Sequence, residues 1–185
     1  MTRFLSILAL AALFAGPAAA ADAEVDKTHS GVMFKAHHFG AGYTWGRFND
    51  FGGTVSMNGS ELTGVQITVK AESIDTGNDR RDKHLRSPDF FDAQTHPTIT
   101  FTSTTVTKVS DGLYSVTGDL GLHGVTRPLT VEMRHTGEGD LPVVMGGAHV
   151  TGWETTFPIR QSEHGMQYDA VGDEAFLFIN LEVKS

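Results

Sequence analysis

The sequence predicts an all-β domain, an antiparallel barrel of about eight strands with one short helical segment near residues 79–91. Three observations predict it. From Glu24 onward, apolar and polar residues alternate in short runs, which is the period of a pleated strand. Glycine-bearing turns such as Asn58-Gly59 and Asp111-Gly112 separate the runs, and connections this short join antiparallel neighbours. In the last run, Ala175, Leu177, Ile179, Leu181 and Val183 alternate with Phe176, Phe178, Asn180 and Glu182, so its first half is apolar on both faces. A sheet with one wet face does not need that. A barrel wall with a ligand space on one side and a packed helix or neighbouring element on the other does. A β-sandwich fits the alternation equally, and alternation alone leaves the two open.

Residues 1–20 stand apart from the domain at 21–185. Arg3 gives a short positive start, Phe4 to Gly16 is a continuous apolar run, Pro17 breaks it, and small residues surround Ala20 and Ala21. That is the layout of a cleavable signal peptide, and its apolar core is too short to span a bilayer. A periplasmic domain is the expectation. The chain has no cysteine, so no disulfide framework supports it and stability must come from a hydrophobic core.

The strands follow in order. "VMFKAHHF" (32–39) and "YTWGRFNDF" (43–51) are joined through Gly40-Ala41-Gly42. "GTVSMNG" turns at Asn58-Gly59 into "TGVQITVKA", with Val65, Ile67 and Val69 on one face. After His96-Pro97, "TITFTSTTVTKV" is threonine-rich and suits a half-buried pleated surface. Asp111-Gly112 leads into "LYSVTGDLGLHG", then "VTRPLTVEMRH", and "VVMGGAHVTGWETTFP" and "EAFLFINLEVKS" complete the set.

One stretch breaks the pattern. "RRDKHLRSPDFF" (80–91) crowds charges at helical spacing and ends in two phenylalanines. Asn78 or Asp79 can cap a helix start, Asp82 and Arg86 stand at i, i+4, and Pro88 ends the turn. A helix this polar does not hold alone. Phe90 and Phe91 can anchor it on an apolar opening, either as a packing plug or as a lid.

With 14 basic and 22 acidic residues the formal net charge is −8. An acidic domain is poorly suited to nucleic acid, where phosphate contacts dominate affinity. The basic cluster Arg80, Arg81, Lys83 and Arg86 is interleaved with Asp79, Asp82 and Asp89, which reads as an internally paired, solvated face. Nine histidines raise metal binding. His29, His37, His38 and His123 would have to converge, while neighbours such as His37 and His38 point to opposite faces of a strand. His123 reads better as a turn residue bonding the backbone, and His29-Ser30 as a cap at the start of a strand. No metal or cofactor is expected. Enzymatic readings lack support as well. Gly-x-Ser-x-Gly is absent, and Ser162 and His164 are too close in sequence to imply a triad.

Three stretches in register carry a resemblance: "VDKTHSGVMFKAHHFGAGYTWGRF", "SIDTGNDRRDKHLRSPDFFDAQTHPTITF" and "VTGDLGLHGVTRPLTVEM". They contain Asp26, His29 and Ser30, then Gly46 and Phe48. The Arg-Asp…His-Leu…Asp-Phe-Phe run follows at Arg81, Asp82, His84, Leu85, Asp89, Phe90 and Phe91. Pro97, Ile99, Thr100 and Phe101 come next, then Gly118, Leu120, His123, Gly124 and Val125. This combination resembles the YceI family of exported lipid-binding proteins and covers nearly the whole chain after the signal segment, most weakly between Glu138 and Glu174. The resemblance implies a lipocalin-like barrel with an elongated apolar cavity. It also implies a polyisoprenoid ligand, including quinone-like lipids, or a fatty-acid or fatty-amide ligand. This chain carries two histidines, His37 and His38, where the family more often has one, so the resemblance does not assign which of them faces the ligand.

A long-chain lipid needs a dry pocket, because its favourable binding free energy is almost all apolar burial. At roughly 25 cal/mol per Å², a chain burying several hundred Å² gains on the order of 10 kcal/mol before entropic costs. The candidates for that wall are Phe34, His38 and Phe39 in the first long strand, and Trp45 and Phe48 in the next. Leu85, Phe90 and Phe91 come from the helical segment, Ile99, Phe101 and Leu120 from the middle strands, and Trp153, Phe176 and Phe178 from the last two. The expected partner is the lipid, with transient membrane contact and a homodimer covering an exposed mouth as further expectations. A histidine-based metal- or haem-linked stress protein and an amidase- or esterase-like enzyme are the competing classes.

Overall fold

The computed structural model describes residues 20–166, 168 and 171–184; the expected signal segment falls outside the described residues except for residue 20. The strands are β1 (Ala21–Val25), β2 (Gly31–His38), β3 (Gly42–Phe48), β4 (Phe51–Asn58), β5 (Glu61–Lys70) and β6 (Ile74–Asp75). After a short helix, α1 (Asp79–Leu85), come β7 (Thr98–Ser110), β8 (Leu113–Leu122), β9 (Val125–Asp140), β10 (His149–Arg160) and β11 (Val171–Lys184).

The strands pair antiparallel throughout, and the pairings close on themselves. β11 pairs along most of its length with β2 and at its end with β1, through Glu24↔Lys184 and Val25↔Val183. β1 pairs with β4, and β2 with β3. β5 and β6 continue this side by pairing with β4 and β3. β1–β2, β3–β4 and β5–β6 are therefore three long strands, each broken once by a bend. With β7 to β11 they make a closed ring of eight in up-and-down order. Closure decides between barrel and sandwich, and it removes the exposed edges a sandwich would keep.

The bend between β1 and β2 is fixed locally. Asp26 accepts a hydrogen bond from the Thr28 backbone N–H at 2.9 Å, and its main-chain carbonyl accepts from the His29 N–H. Its other carboxylate oxygen meets Lys184 Nζ at 2.6 Å and His29 Nδ1 at 2.8 Å. The Lys184 ammonium first, then the His29 ring and the Thr28 N–H, hold the Asp26 carboxyl far below its ordinary range. Ser30 Oγ accepts from the Glu182 N–H at 2.9 Å, which ties the bend to β11.

One expectation about strands is corrected, and another resolves to one of its two alternatives. "VVM" does not belong to a strand: Val143–Met145 forms an exposed turn of 3-10 helix, and the strand begins at His149. Among the described residues, no helix covers the outer face of β11. Phe176 and Phe178 instead meet Lys35 and Trp45 from the neighbouring strands.

The helical segment occupies the break between β6 and β7, and several of its charged residues, Asp82 and Arg86 among them, are structural ties. Asn78 caps α1 by accepting from the Arg81 N–H at 3.0 Å. Asp82 is buried and accepts from the Thr76 N–H and hydroxyl. Arg86 donates from Nε to the Glu72 carbonyl at 2.7 Å and from Nη2 to the Ile74 carbonyl at 2.8 Å. The expected Asp82–Arg86 pair therefore does not form, because both groups satisfy partners at the neighbouring bend. The Phe91 N–H donates to the Leu85 carbonyl, which turns the two phenylalanines back toward the barrel.

Candidate functional site

Inside the ring is a cavity of about 400 Å³. Its deep wall is apolar, built by Val65, Val116, Val131 and Met133, with Leu177, Ile179 and Leu181 from β11. The far end is closed. Trp153, fully buried, meets Tyr114 edge-on at 5.6 Å and the tilted His135 ring at 5.0 Å.

The other end is the mouth, where most of the polar lining gathers; Thr155, midway along β10, is buried and donates to the Glu132 carbonyl at 2.7 Å. His37 and His38 end β2, and Val171, opposite His38, begins β11. α1 brings Arg81, His84 and Leu85 to the rim. His84 pairs with Asp89 at 2.9 Å and holds Phe90 and Tyr168 edge-on at 5.1 and 5.4 Å. The opposite lip is the 3-10 turn Gln161–His164 and the residues after it, which contribute Gln161, Met166 and Tyr168. Gln161 Nε2 donates to the Gly172 carbonyl at 2.8 Å. His164 is buried behind this lip, and burial lowers its pKa. His123 Nδ1 lies 3.0 Å from the His164 carbonyl, so His123 does bond the backbone from a left-handed turn position. No Asp or Glu lines the cavity among the described residues.

Two glycines shape the wall. A Cβ at Gly46 would overlap the Phe34 ring and approach Thr76 Cγ2 to 2.8 Å. One at Gly118 would overlap the Thr102 carbonyl and reach the Phe101 ring at 2.7 Å. Each lets an aromatic ring pack against the backbone of the adjoining strand.

Most of the residues singled out from sequence meet at this cavity. Phe34, His38, Phe39 and Phe48 line it from β2, its hairpin and β3. Leu85, Phe90 and Phe91 line it from the helical segment, and Ile99, Phe101 and Leu120 from β7 and β8. His37 reaches the rim as well, because the wall ends where β2 ends.

Four placements differ. Trp45 points outward, opposite Lys35, and is 54% exposed, because even-numbered residues of β3 face inward. Phe176 and Phe178 point outward because the register of β11 turns Ala175, Leu177 and Ile179 to the cavity. Trp153 faces inward but lies beyond the cavity floor. Aromatic content favours one face of β11, and the pairing puts the aliphatic face inside. Arg81, His84, Gln161, Met166 and Tyr168 also line the cavity without having been singled out for its wall. The last three sit in a stretch with no strand periodicity to signal them.

The four histidines singled out from sequence do not converge, although the His123 ring packs against that of His96 at 4.7 Å. His29 lies at the β1–β2 bend, His37 and His38 at the mouth, and His123 in the β8–β9 turn. Among the described residues, one group could offer three metal ligands, Asp26, His29 and Glu182, and Lys184 already occupies the Asp26 carboxylate.

The sequence profile of the YceI-like domain matches residues 24–183. The chain belongs to the YceI family. A UPF0312 protein of Azotobacter vinelandii is 37% identical over 190 residues, covering 98% of this chain and 97% of that protein. The YceI protein of Escherichia coli is 38% identical over 174 residues, covering 91% of this chain and 89% of its own. Among solved structures, Burkholderia cenocepacia BcnA superposes with a TM-score of 0.76 at 23% identity, covering 85% of this chain and 98% of BcnA. A polyisoprenoid-binding domain from Saccharophagus degradans superposes with a TM-score of 0.70 at 17% identity, covering 90% of this chain and 99% of that domain. At these identities the two structures share the YceI barrel with this chain. The YceI motif residues have local explanations: Asp26, His29 and Ser30 fix a bend, Gly46 admits a ring, and the run from Arg81 to Phe91 secures one lip of the mouth.

Proposed function

We propose that this protein binds a long-chain apolar lipid, a polyisoprenoid or isoprenoid quinone, inside the barrel, and sequesters or carries it in the periplasm. The observation that carries this reading is the distribution of polarity in the cavity: a largely apolar interior, in which the Thr155 hydroxyl is satisfied by the Glu132 carbonyl, with most of the polar groups gathered at the mouth. A chain with an apolar tail and one polar head matches that gradient. The cavity volume lies within the roughly 300–1,000 Å³ of pockets that enclose small ligands. The polyisoprenoid-binding domain of Saccharophagus degradans shares the fold, which favours an isoprenoid over a fatty acid. Among the described residues the lining contains no carboxylate, which suits an apolar ligand.

Native mass spectrometry of protein purified from its own cell envelope, followed by organic extraction, tests the reading. The expected result is one bound species whose mass changes in isoprenoid increments. A fatty-acid mass would replace the isoprenoid with another tail, and an empty or metal-loaded protein would overturn the lipid reading.

A further inference from the structure

Outside the cavity, the face beside the mouth has a composition unlike the rest of this acidic chain. On the outer side of β2, β3 and β11, Tyr43, Trp45, Phe176 and Phe178 surround Lys35, whose Nζ lies 4.6 to 5.5 Å from the four ring centroids. Phe39, at the tip of the β2–β3 hairpin and on the cavity rim, is 71% exposed. The β3 edge beside these rings pairs with β6 only at Arg47 and Phe48.

On the lip of the mouth next to β6 and β3, α1 presents Arg80, Arg81 and Lys83 to solvent. The neighbouring carboxylates do not neutralise them. Asp82 is turned inward onto Thr76, Asp89 is held by His84, and Asp75 is taken by Arg47 and Asn49. Arg80 and Lys83 have no ion-pair partner among the described residues, so the internally paired face expected from sequence is not formed. Further exposed carboxylates lie toward this end: Glu72 and Asp79 near α1, Glu163, which pairs with Arg127 at 3.8 Å, Glu174, and Asp173, which accepts from the Ser162 N–H.

We propose that this end of the barrel docks on an anionic phospholipid bilayer, with Phe39, Tyr43 and Trp45 at headgroup depth and Arg80 and Lys83 on lipid phosphates. Tyrosine and tryptophan suit that depth because each joins an apolar ring to a polar group. Trp45 lies three residue pairs from the end of β2, about 10 Å along the strand, comparable with the roughly 5–10 Å to which interfacial elements enter. Lys35 can keep its stem on the rings while its ammonium turns to phosphate. The cations complement an anionic surface. This inference rests on the lipid-carrier reading: a mouth seated on the bilayer lets an apolar tail pass without crossing water.

Sedimentation with vesicles tests it, using phosphatidylethanolamine–phosphatidylglycerol vesicles against phosphatidylcholine vesicles. Wild-type protein should bind the anionic vesicles about tenfold more tightly or better, and less as salt rises. The chain has two tryptophans, of which Trp153 is buried, so a blue shift of emission on binding reports Trp45. Arg80→Glu/Lys83→Glu should reduce binding at least about tenfold, and Trp45→Ser should weaken it separately. Neither variant touches the cavity wall, so extracted lipid should stay at wild-type levels; Arg80→Glu/Lys83→Glu should also keep the wild-type Tm, whereas Trp45→Ser loses its contact with Phe178 and should lower Tm slightly. Absence of vesicle binding, or binding unchanged in both variants, overturns the proposal. So does a concentration-dependent dimer that Trp45→Ser dissolves, because the face would then be covered by a second copy. The lipid extraction is read independently: an empty cavity with intact vesicle binding defeats the carrier reading and leaves the docking face standing.

Discussion

At Gly46, a missing Cβ gives the Phe34 ring its place on the wall, and the smallest addition there has a directed effect. Gly46→Ala should push the ring into the cavity at a cost of about 1–3 kcal/mol. Lower lipid content per protein, together with a reduced Tm, is the expected result; unchanged lipid content would show that the ring gives way in another direction. Asp26 acts at the same scale through charge. Its folded pKa is depressed, so its contribution is fully present above the unfolded value of about 4 and is lost as pH falls toward the folded value. Asp26→Asn should therefore cost on the order of 1–3 kcal/mol at neutral pH. The gap in Tm between the two proteins should narrow as pH drops below about 4. A gap that stays constant from neutral pH down to about pH 3 would assign the loss to geometry instead of charge.

The helical segment shows how an element too short and too polar to be stable by itself is held in place. Its carboxylate and guanidinium groups satisfy partners at the β5–β6 bend and just after it, while Phe91 meets Phe48 edge-on at 5.6 Å across the cavity wall. Phe91 is only partly buried, so its ring faces the cavity more than it fills the core. Phe91→Asp should cut retained lipid about fivefold or more while lowering Tm by only a few degrees, as measured by extraction and thermal melting. Full lipid retention combined with loss of fold would make the ring a structural plug. Both roles are open from sequence, because charge spacing and a phenylalanine pair describe either one.

For the molecule as a whole, ring closure creates the cavity and sets its polarity. Eight strands leave an interior wide enough for one small ligand. Trp153, Tyr114 and His135 fill one end of it, and the α1 lip and the lip carrying Gln161, Met166 and Tyr168 flank the other. On the proposed lipid reading, the opening at this end sets the direction of travel of the tail, so the surface around it would govern exchange. This is why the aromatic and cationic groups beside the mouth bear on function although they lie outside the cavity.

The sequence by itself determined the strand periodicity, the turns, the capped helical segment and the motifs of the YceI family, since each depends on residues near one another in the chain. It also named much of the wall, because aromatic residues on strands are few and most face inward. Only the tertiary structure decided the closure through β1 and β11, the direction in which Trp45, Phe176 and Phe178 point, and the lip carrying Met166 and Tyr168. Alternation shows that two faces differ, but the register with neighbouring strands decides which one is inside. On β11 both faces are apolar, so hydrophobicity could not choose between them. Pairing with β2 and β10 did.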